Sequence, residues 1–198
     1  MILHPSSVIL PSQSDVPDVD HRSLVNVLDR SETDIEVITD VLERTSQLGS
    51  VKQGVDKHFY SNGAVNLVQL MLYVLRQTGP AHVFLSTYSI AEDSISTLRR
   101  YVDDGTILSI RFLIDNRVRS ISPKPFAHLI TAFPDSYRCT SLHAKVALIC
   151  NEDWHVSIVG SQNATHNPKL ERGIIHTSED IWRFDNNIMY EQFDKGAK

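Results

Sequence analysis

Two apolar runs on either side of an amphipathic stretch constrain the fold of this chain more than any other feature. Residues 81–90 and 107–114 are rich in branched and aromatic side chains, which is typical of buried strands. Residues 92–104 between them carry apolar side chains at helical spacing. A strand, a helix and a strand of these lengths form a parallel pair joined by a right-handed crossover. The sequence therefore predicts an α/β domain.

Helical and extended patterns continue on both sides of this unit. Further helices are predicted over 62–77 (capped by Ser61 and ended by Gly79-Pro80), 124–133 and 179–194, and further strands over 137–140, 142–150, 154–160 and 173–177. The helix over 62–77 is apolar on most sides, so we expect it to be buried against a sheet or another subunit. The expected fold is a mixed, mostly parallel sheet flanked by helices on both faces.

The first fifty residues have a different character. Residues 1–20 are rich in Pro, Ser and Asp, so we expect a poorly ordered arm. The stretch Ser31-Glu-Thr-Asp34 fits a helix-capping box, and the apolar spacing around it predicts helix over 21–48. The predicted division is therefore an acidic, partly disordered and helical extension over residues 1–50, followed by the main domain over 51–198.

Composition is that of an ordinary soluble globular protein. Of the 198 residues, 41% are hydrophobic and 22% are charged. No apolar run approaches the roughly 18 residues of a membrane span, and the start lacks a basic region followed by an apolar one. Cys139 and Cys150 are too few for a disulfide framework or a zinc site, so a reducing cytoplasm is expected, with no membrane partner.

The net charge of −5 is unevenly distributed along the chain. Residues 1–50 contain nine acidic and three basic side chains, whereas residues 51–198 contain fifteen and sixteen. Between residues 97 and 145 eight basic side chains stand against four acidic ones. This part is therefore locally basic, which is compatible with an anionic substrate. A scattered, solvated surface would give the same count.

A histidine and a lysine two residues apart carry the clearest chemical signal. His143 and Lys145 fall in a predicted strand, where alternate side chains point to the same face. The next strand ends in the turn Gly160-Ser161-Gln162-Asn163. Lysine supplies positive charge, serine and asparagine supply hydrogen bonds, and histidine can attack phosphorus or donate a proton. These residue types together suit a phosphate group.

This pattern resembles the HxK…GSxN signature of the phospholipase D superfamily, and the match is strongest over about residues 81–178. The resemblance implies a phospholipase D-like catalytic domain that cleaves phosphodiesters without a metal or other cofactor. It implies that His143 is the nucleophile and forms a phosphohistidine, and that Lys145 and Asn163 bind the phosphate oxygens. Ser161 would complete the phosphate cradle, although serine also favours turns without any ligand. The alternative is a surface hairpin with an incidental histidine and lysine.

Other side chains are weaker candidates for the site. The resemblance implies a glutamate that accepts a hydrogen bond from the histidine ring, for which Glu171 is the best-placed match and Glu179 the second choice. Side chains at strand ends line the crevice of open α/β sheets. On that ground the expected substrate contacts are Tyr88, Ser89, Arg117 and Arg119. The spacing of His155, His166 and His176 fits no set of metal ligands.

The chain departs from the family pattern in two ways. Cys150 stands where the full motif carries an aspartate, which in the family is mostly a structural group. The chain also has one HxK motif, whereas the family chemistry uses two histidines on opposite sides of the phosphorus. The resemblance therefore implies a homodimer in which each subunit contributes half of one shared site. The apolar helix over 62–77 is a candidate for the interface.

The implied substrate is DNA or RNA, because short single-motif members of this family without membrane features are mostly nucleases. A phospholipid phosphodiesterase or phosphatidyl transferase is a second possibility. A third is a nucleic-acid-binding or regulatory module that kept the fold and lost turnover, for which Cys150 and the acidic segment are modest arguments. The joint presence of His143, Lys145 and Asn163 argues against such a loss.

Overall fold

In the part of the chain that the structure describes, eight strands form one sheet, and helices pack on both of its faces. The computed structural model describes residues 33–63 and 65–198. In chain order the elements are β1 (Asp34–Val37), β2 (Val55–Ser61), α1 (Leu67–Thr78), β3 (Ala81–Thr87), α2 (Glu92–Asp103), β4 (Ile107–Asp115), α3 (Val118–Ile121), α4 (Pro123–Ala132), β5 (Tyr137–Thr140), β6 (Val146–Cys150), β7 (His155–Gly160), β8 (Glu171–His176) and α5 (Glu179–Lys195). The predicted α/β architecture is confirmed.

The strand order is β1-β2-β8-β7-β6-β3-β4-β5. The strands β3, β4 and β5 run parallel, as the strand–helix–strand pattern predicts, and β1 runs parallel to β2. The pairs β2–β8, β8–β7, β7–β6 and β6–β3 are antiparallel. The sheet is therefore mixed, but the predicted excess of parallel pairs is wrong for the described residues. The short turn between β6 and β7 leaves only antiparallel pairing to these two strands.

Alternating side chains of the central strands supply two cores. In β3, Val83 and Leu85 belong to the larger core under α1, α2 and α4. Phe84 between them points to the opposite face and packs with Met189 and Phe193 of α5. The rings of Phe84 and Phe193 meet edge to face, with centroids 5.6 Å apart. The prediction of helices on both faces is thereby confirmed.

The helix α1 is buried against the sheet of its own chain. It begins after Asn66, whose side chain accepts a hydrogen bond from the Gln69 backbone N–H at 2.9 Å, while the Gln69 side chain accepts from the Asn66 N–H at 2.9 Å. This reciprocal pair is a capping box, and Ser61, the predicted cap, is instead the last residue of β2. Because the apolar side chains of α1 are covered by the core, this helix leaves no apolar face for a subunit interface.

The predicted helix before residue 49 is wrong where the structure describes it. Asp34–Val37 forms an edge strand, and Thr45–Leu48 forms a single 3₁₀ turn. Lys57 of β2 is buried, and its Nζ lies 2.7 Å from an Oε2 atom of Glu36 in β1. Pairing of β1 with β2 thus satisfies a buried ammonium as well as the backbone of β1. Leu42 follows helical spacing in the sequence but is buried beside the sheet.

Two other predictions concern residues that lie partly or wholly outside the described part. The poorly ordered arm over 1–20 lies outside it, as does the helix predicted over 21–48 up to residue 32. The division at residue 50 stays a prediction, although the chain has joined the sheet by residue 34. No helix in the described part of the chain is long and apolar enough to cross a membrane.

Candidate active site

The histidine and lysine of the motif lie immediately before β6, which begins at Val146. The backbone N–H of Gly160 donates to the Lys145 carbonyl at 3.2 Å, so β7 still holds the chain at this point. The Val146 N–H donates to Oγ of Ser86 at 3.1 Å, which ties the start of β6 to β3. The two side chains meet, because Nζ of Lys145 lies 3.2 Å from Nδ1 of His143.

Lys145 and His143 differ in their access to solvent. The imidazole of His143 is exposed, whereas Lys145 is only 7% exposed. Burial lowers the pKa of the Lys145 ammonium, and the negative charges of Glu171 and Asp115 partly oppose this shift. Nζ also donates to the His143 carbonyl at 2.5 Å. The pair therefore presents an exposed ring nitrogen beside a partly desolvated positive charge, which is an arrangement suited to an anion.

A second strand end completes the wall of the site. Gly160 approaches the strand β8 so closely that a Cβ atom at this position would lie 2.7 Å from the Arg172 carbonyl oxygen. A side chain is thus excluded here, and Ser161 turns towards Glu171, to which its hydroxyl donates a hydrogen bond. The other carboxylate oxygen of Glu171 accepts from Nδ2 of Asn167 at 2.7 Å. Both oxygens of this buried carboxylate are therefore engaged by neighbours on the same loop.

Asn163 is fixed between the end of β3 and the start of α1. Its carbonyl accepts from the Leu67 N–H at 3.1 Å, and its Oδ1 accepts from Oγ1 of Thr87 at 3.4 Å. The Thr87 hydroxyl also accepts from the Ala164 N–H at 3.1 Å. Gln162, between the two candidate phosphate ligands, is buried instead. Of the two candidate phosphate ligands, Ser161 lines the cavity of His143 and Lys145, whereas Asn163 does not line it and contacts Thr87 instead.

An aromatic ring and a carboxylate complete the other side of the site. The Tyr88 ring lies 5.3 Å from the His143 ring, and the guanidinium carbon of Arg117 lies 4.7 Å from the Tyr88 centroid. Asp115 accepts hydrogen bonds from Nε of Arg117 at 2.8 Å and from the Leu142 N–H at 3.1 Å. Burial alone would raise the pKa of Asp115, but these hydrogen bonds hold it below its usual value.

The structure brings some of the candidate residues together and separates others. A cavity of about 340 Å³ is lined by His143, Ala144, Lys145, Val146, Val159, Gly160 and Ser161. Ser89 lies beside the loop of Asn163, with its hydroxyl 3.4 Å from that of Thr165. Arg119 instead stacks over Phe126 of α4, and Glu179 pairs with Arg183 at the start of α5. The roles of all these residues stay predictions.

The other histidines and Cys150 have separate surroundings. The His155 ring lies 4.9 Å from that of Trp182, and Nδ1 of His176 lies 2.8 Å from Oδ2 of Asp56. Across residues 33–63 and 65–198, no group of three or more His, Cys, Asp or Glu side chains could hold a metal ion. Cys150 ends β6 and lines a different cavity of about 370 Å³, together with His82 and Trp182.

The fold is shared with solved structures of low sequence identity. Nuc from Salmonella typhimurium, a phospholipase D family member, superposes with a TM-score of 0.53 at 16% identity, covering 71% of this chain and 95% of Nuc. This chain has the phospholipase D fold. The fold implied by the motif is confirmed.

Two larger proteins share the phospholipase D fold of this chain over part of their length. Polyphosphate kinase from Porphyromonas gingivalis has a TM-score of 0.52 at 16% identity, and phosphatidylserine synthase from Haemophilus influenzae Rd KW20 has 0.50 at 13%. Each match covers 72% of this chain, but only 26% of the kinase and 39% of the synthase. No protein-family model and no curated protein matches the sequence.

Within the phospholipase D fold of this chain, sequence reasoning missed Asp115. Its carboxylate joins Arg117 to the loop that precedes His143. The signal was present, because Asp115 ends an apolar strand of the parallel part of the sheet, where side chains line the crevice. The same rule singled out Tyr88, Ser89 and Arg117, all of which lie beside the motif residues or their loop.

Proposed function

We propose that the chain is a phosphodiesterase of the phospholipase D superfamily that hydrolyses DNA or RNA without a metal ion. The observation that carries the proposal is the contact of His143 and Lys145, whose Nδ1 and Nζ atoms lie 3.2 Å apart at one cavity with Ser161. The similarity to Nuc, which extends over 95% of that protein, supports it. Locally basic sequence between residues 97 and 145 favours a polyanionic substrate.

The contact between the two motif side chains bears on the tautomer of the imidazole. A charged ammonium only donates, so Nδ1 of His143 accepts from Lys145 and the proton of the neutral ring lies on Nε2. The histidine that protonates a leaving oxygen carries protons on both ring nitrogens, so in that role Nδ1 of His143 donates and gives up its contact with Lys145. The attacking histidine needs its proton on Nδ1 and a free lone pair on Nε2. Glu171, the predicted acceptor for that proton, would have to exchange one of its present hydrogen-bond partners, Ser161 or Asn167.

The proposed reaction has two steps at one phosphorus. Nε2 of one His143 forms an N–P bond while the P–O bond to the leaving group breaks, and the leaving oxygen takes a proton from His143 of a second copy. That second imidazole then accepts a proton from water, whose oxygen attacks phosphorus and breaks the N–P bond. Lys145 and Asn163 of both copies bind the non-bridging oxygens as their negative charge increases.

A surface beside the motif supports the proposal that two copies share the site. Phe184 and Ile188, one turn apart on α5, are 56% and 49% exposed. They line a small cavity of about 150 Å³ together with Ala144 and Val146, which also line the His143 cavity. Apolar side chains exposed next to an incomplete catalytic site suit contact with a second copy.

The test of the reaction is hydrolysis in EDTA. Wild type and His143→Ala are incubated with plasmid DNA, single-stranded DNA, RNA and phosphatidylcholine. We expect wild type to cleave nucleic acid and His143→Ala to lose about 10³-fold or more, because it lacks both nucleophile and acid. His82→Ala, which removes a histidine from the other cavity, is the control and should retain activity. Cleavage of phosphatidylcholine alone would favour a phospholipid substrate. Equal activity of His143→Ala would exclude the mechanism.

Mixed dimers test the shared site directly. If both histidines serve one site, equimolar exchange of wild type with His143→Ala leaves about a quarter of the activity, whereas independent sites leave about half. Phe184→Glu should yield an inactive monomer, because it places a charge in the proposed interface. Leu108→Glu is the matched control, since Leu108 is 54% exposed but lies at the start of β4. A fully active Phe184→Glu monomer would contradict the dimer.

A further inference from the structure

A groove on the outer side of the helical layer contains three arginines. It lies between α1, α2 and the segment before the 3₁₀ turn, and its volume is about 430 Å³. The basic side chains that line it are Arg44, Arg76 and Arg100. Gln69, Thr97 and Tyr101 add hydrogen-bonding groups. The groove is separate from the His143 cavity, with which it shares no lining residue.

None of the three guanidinium groups forms a salt bridge in the described part of the chain, although the charge of Arg100 also interacts with the Asp104 carboxylate. Arg76 donates to the Tyr101 hydroxyl at 2.9 Å, and Arg100 donates to that of Thr97 at 3.3 Å. Neither they nor Arg44 form a salt bridge with any carboxylate that the structure describes, and Glu43 is the one acidic residue lining the groove in that part of the chain. Like charges gathered around one concave surface attract anions.

On α2 and α5, the exposed basic side chains outside the groove are paired. Arg99, next to Arg100 on α2, lies in a salt bridge with Asp103. On α5, Arg183 pairs with Glu179 at 2.5 Å and Lys195 pairs with Glu191 at 2.5 Å. Each of these is an i,i+4 pair, in which a carboxylate one turn away offsets the positive charge. The groove therefore differs from the exposed surfaces of α2 and α5 in that its arginines form no salt bridge. Arg119 of α3 and Lys124 of α4 also lack a salt bridge in the described part of the chain, but they do not line the groove.

The two helices that border the groove begin at the loop that carries Asn163. The Leu67 N–H at the start of α1 donates to the Asn163 carbonyl at 3.1 Å, and the Ala91 N–H before α2 donates to the Ala164 carbonyl at 3.1 Å. Both helices thus start at the loop that carries Asn163 and run away from it. At about 1.5 Å per residue, the groove extends roughly 10 Å along α1 from Gln69, in the first turn, to Arg76 in the last.

We propose that Arg44, Arg76 and Arg100 form a secondary binding site for the phosphate backbone of a nucleic-acid strand whose scissile phosphate lies at His143. Guanidinium groups bind phosphate oxygens with paired, charge-assisted hydrogen bonds. The inference rests on the proposed function for the identity of the strand, but it concerns residues that take no part in the chemistry. It predicts that long substrates bind more tightly than short ones and that the difference depends on salt.

The test measures binding without cleavage. In a His143→Ala background, the affinity for a single strand of about 30 nucleotides is measured against salt concentration by fluorescence anisotropy. Substituting all three groove arginines by glutamine should reduce the slope of log K against log salt by about 2, since each phosphate contact on a single strand contributes about 0.7. At about 0.1 M salt, affinity should fall about 10-fold or more. Lysine at the same three positions should retain most of the slope.

The control variant carries Arg99→Gln, Arg183→Gln and Lys195→Gln. It removes three positive charges from side chains that form salt bridges in the wild type. An unchanged slope in the groove variant, or an equal loss in the control, would overturn the proposal. Hydrolysis of bis(p-nitrophenyl) phosphate by the groove variant with His143 intact separates the two hypotheses. The groove variant should hydrolyse the diester at the wild-type rate, because this small molecule does not reach the groove. Failure of the wild type to hydrolyse the diester would count against the proposed function and leave the binding result standing.

Discussion

The two ends of β6 have opposite physical characters. Before its first residue, Lys145 holds a buried ammonium beside the exposed ring of His143, under the influence of the Glu171 and Asp115 carboxylates. At its last residue, Cys150 is half-buried beside Trp182, and burial raises the pKa of its thiol. One end gathers groups that bind anions and move protons, whereas the other holds a neutral thiol.

This difference explains how the chain can lack the aspartate of the family motif and keep its candidate site. With strands rising about 3.3 Å per residue, the position of Cys150 lies roughly 13 Å along β6 from Val146. Cys150 lines a cavity that does not include the motif residues. The groups that the proposed chemistry requires are thus concentrated at one end of the strand, and the departure from the motif falls at the other.

Lys145→Met should give the largest loss at the motif end. The substitution keeps most of the side-chain volume and removes the positive charge, so we expect kcat to fall about 10² to 10³-fold, as on loss of other groups that stabilise developing negative charge. Because burial lowers the pKa of this ammonium, its charge opposes folding at neutral pH. The free energy of unfolding in urea should therefore be unchanged or higher. A lower stability with normal activity would show that the lysine is structural.

The activity of the wild type should depend on pH through the protonation of Lys145. The lowered pKa of Lys145 means that the ammonium loses its proton at a pH below that of an ordinary lysine. Hydrolysis of a small diester should therefore decline at alkaline pH as Lys145 loses its proton. The free energy of unfolding should not fall at the same pH because of Lys145, since burial favours its neutral form. In Lys145→Met this alkaline limb should disappear. Its persistence would assign the limb to another group.

The sequence predicts those parts of the fold that depend on neighbours along the chain. Apart from α3, which was not predicted, the elements from α1 to α5 agree with the predicted ranges to within five residues, because periodic apolar side chains and short connections define them locally. The sequence predicts helix where β1 lies, because the strand conformation of β1 depends on pairing with β2, some twenty residues later, and on the Lys57–Glu36 contact. Spacing within 34–48 contains no sign of that pairing.

The candidate site likewise contains residues that the sequence predicts and residues that it does not. His143, Lys145 and Ser161 lie on one hairpin, so a motif read along the chain finds them, and the structure places them at one cavity. The contributions of Tyr88 and Asp115 depend on the ends of β3 and β4, which reach the motif only through the order of strands in the sheet. Residue spacing cannot predict such contacts, although the rule for strand ends narrows the choice.

Asp115→Asn should have an intermediate effect, because it alters the support of the motif end rather than the reacting groups. The amide cannot accept from Arg117 and Leu142 with both of its terminal atoms, so the loop before His143 loses part of its anchor. We expect a loss of about 1–3 kcal/mol in the free energy of unfolding. For kcat/KM on a small diester we expect a fall of about tenfold.

The pH dependence of stability distinguishes the contribution of the Asp115 charge from that of its packing. Since hydrogen bonds hold the folded pKa of this carboxyl below its usual value, the stabilisation is complete above the usual aspartate pKa and is lost as pH falls through the folded one. The stability difference between wild type and Asp115→Asn should therefore shrink in acid. Urea denaturation at neutral and acidic pH measures it. A difference independent of pH would assign the effect to packing.

Cys150→Ala should have the smallest effect on activity and thereby tests the comparison from the other end of β6. The substitution removes a half-buried sulfur next to Trp182, so we expect a loss of about 1 kcal/mol or less in stability. The distance from the motif predicts a kcat within about twofold of wild type, since no reacting group changes its contacts. Cys150→Asp should likewise leave kcat unchanged, because the missing motif aspartate would stand at the wrong end of the strand to touch phosphate. A rise in kcat of about tenfold in Cys150→Asp would mean that the two ends of β6 are coupled, in which case the sheet transmits the effect of a distant carboxylate to His143.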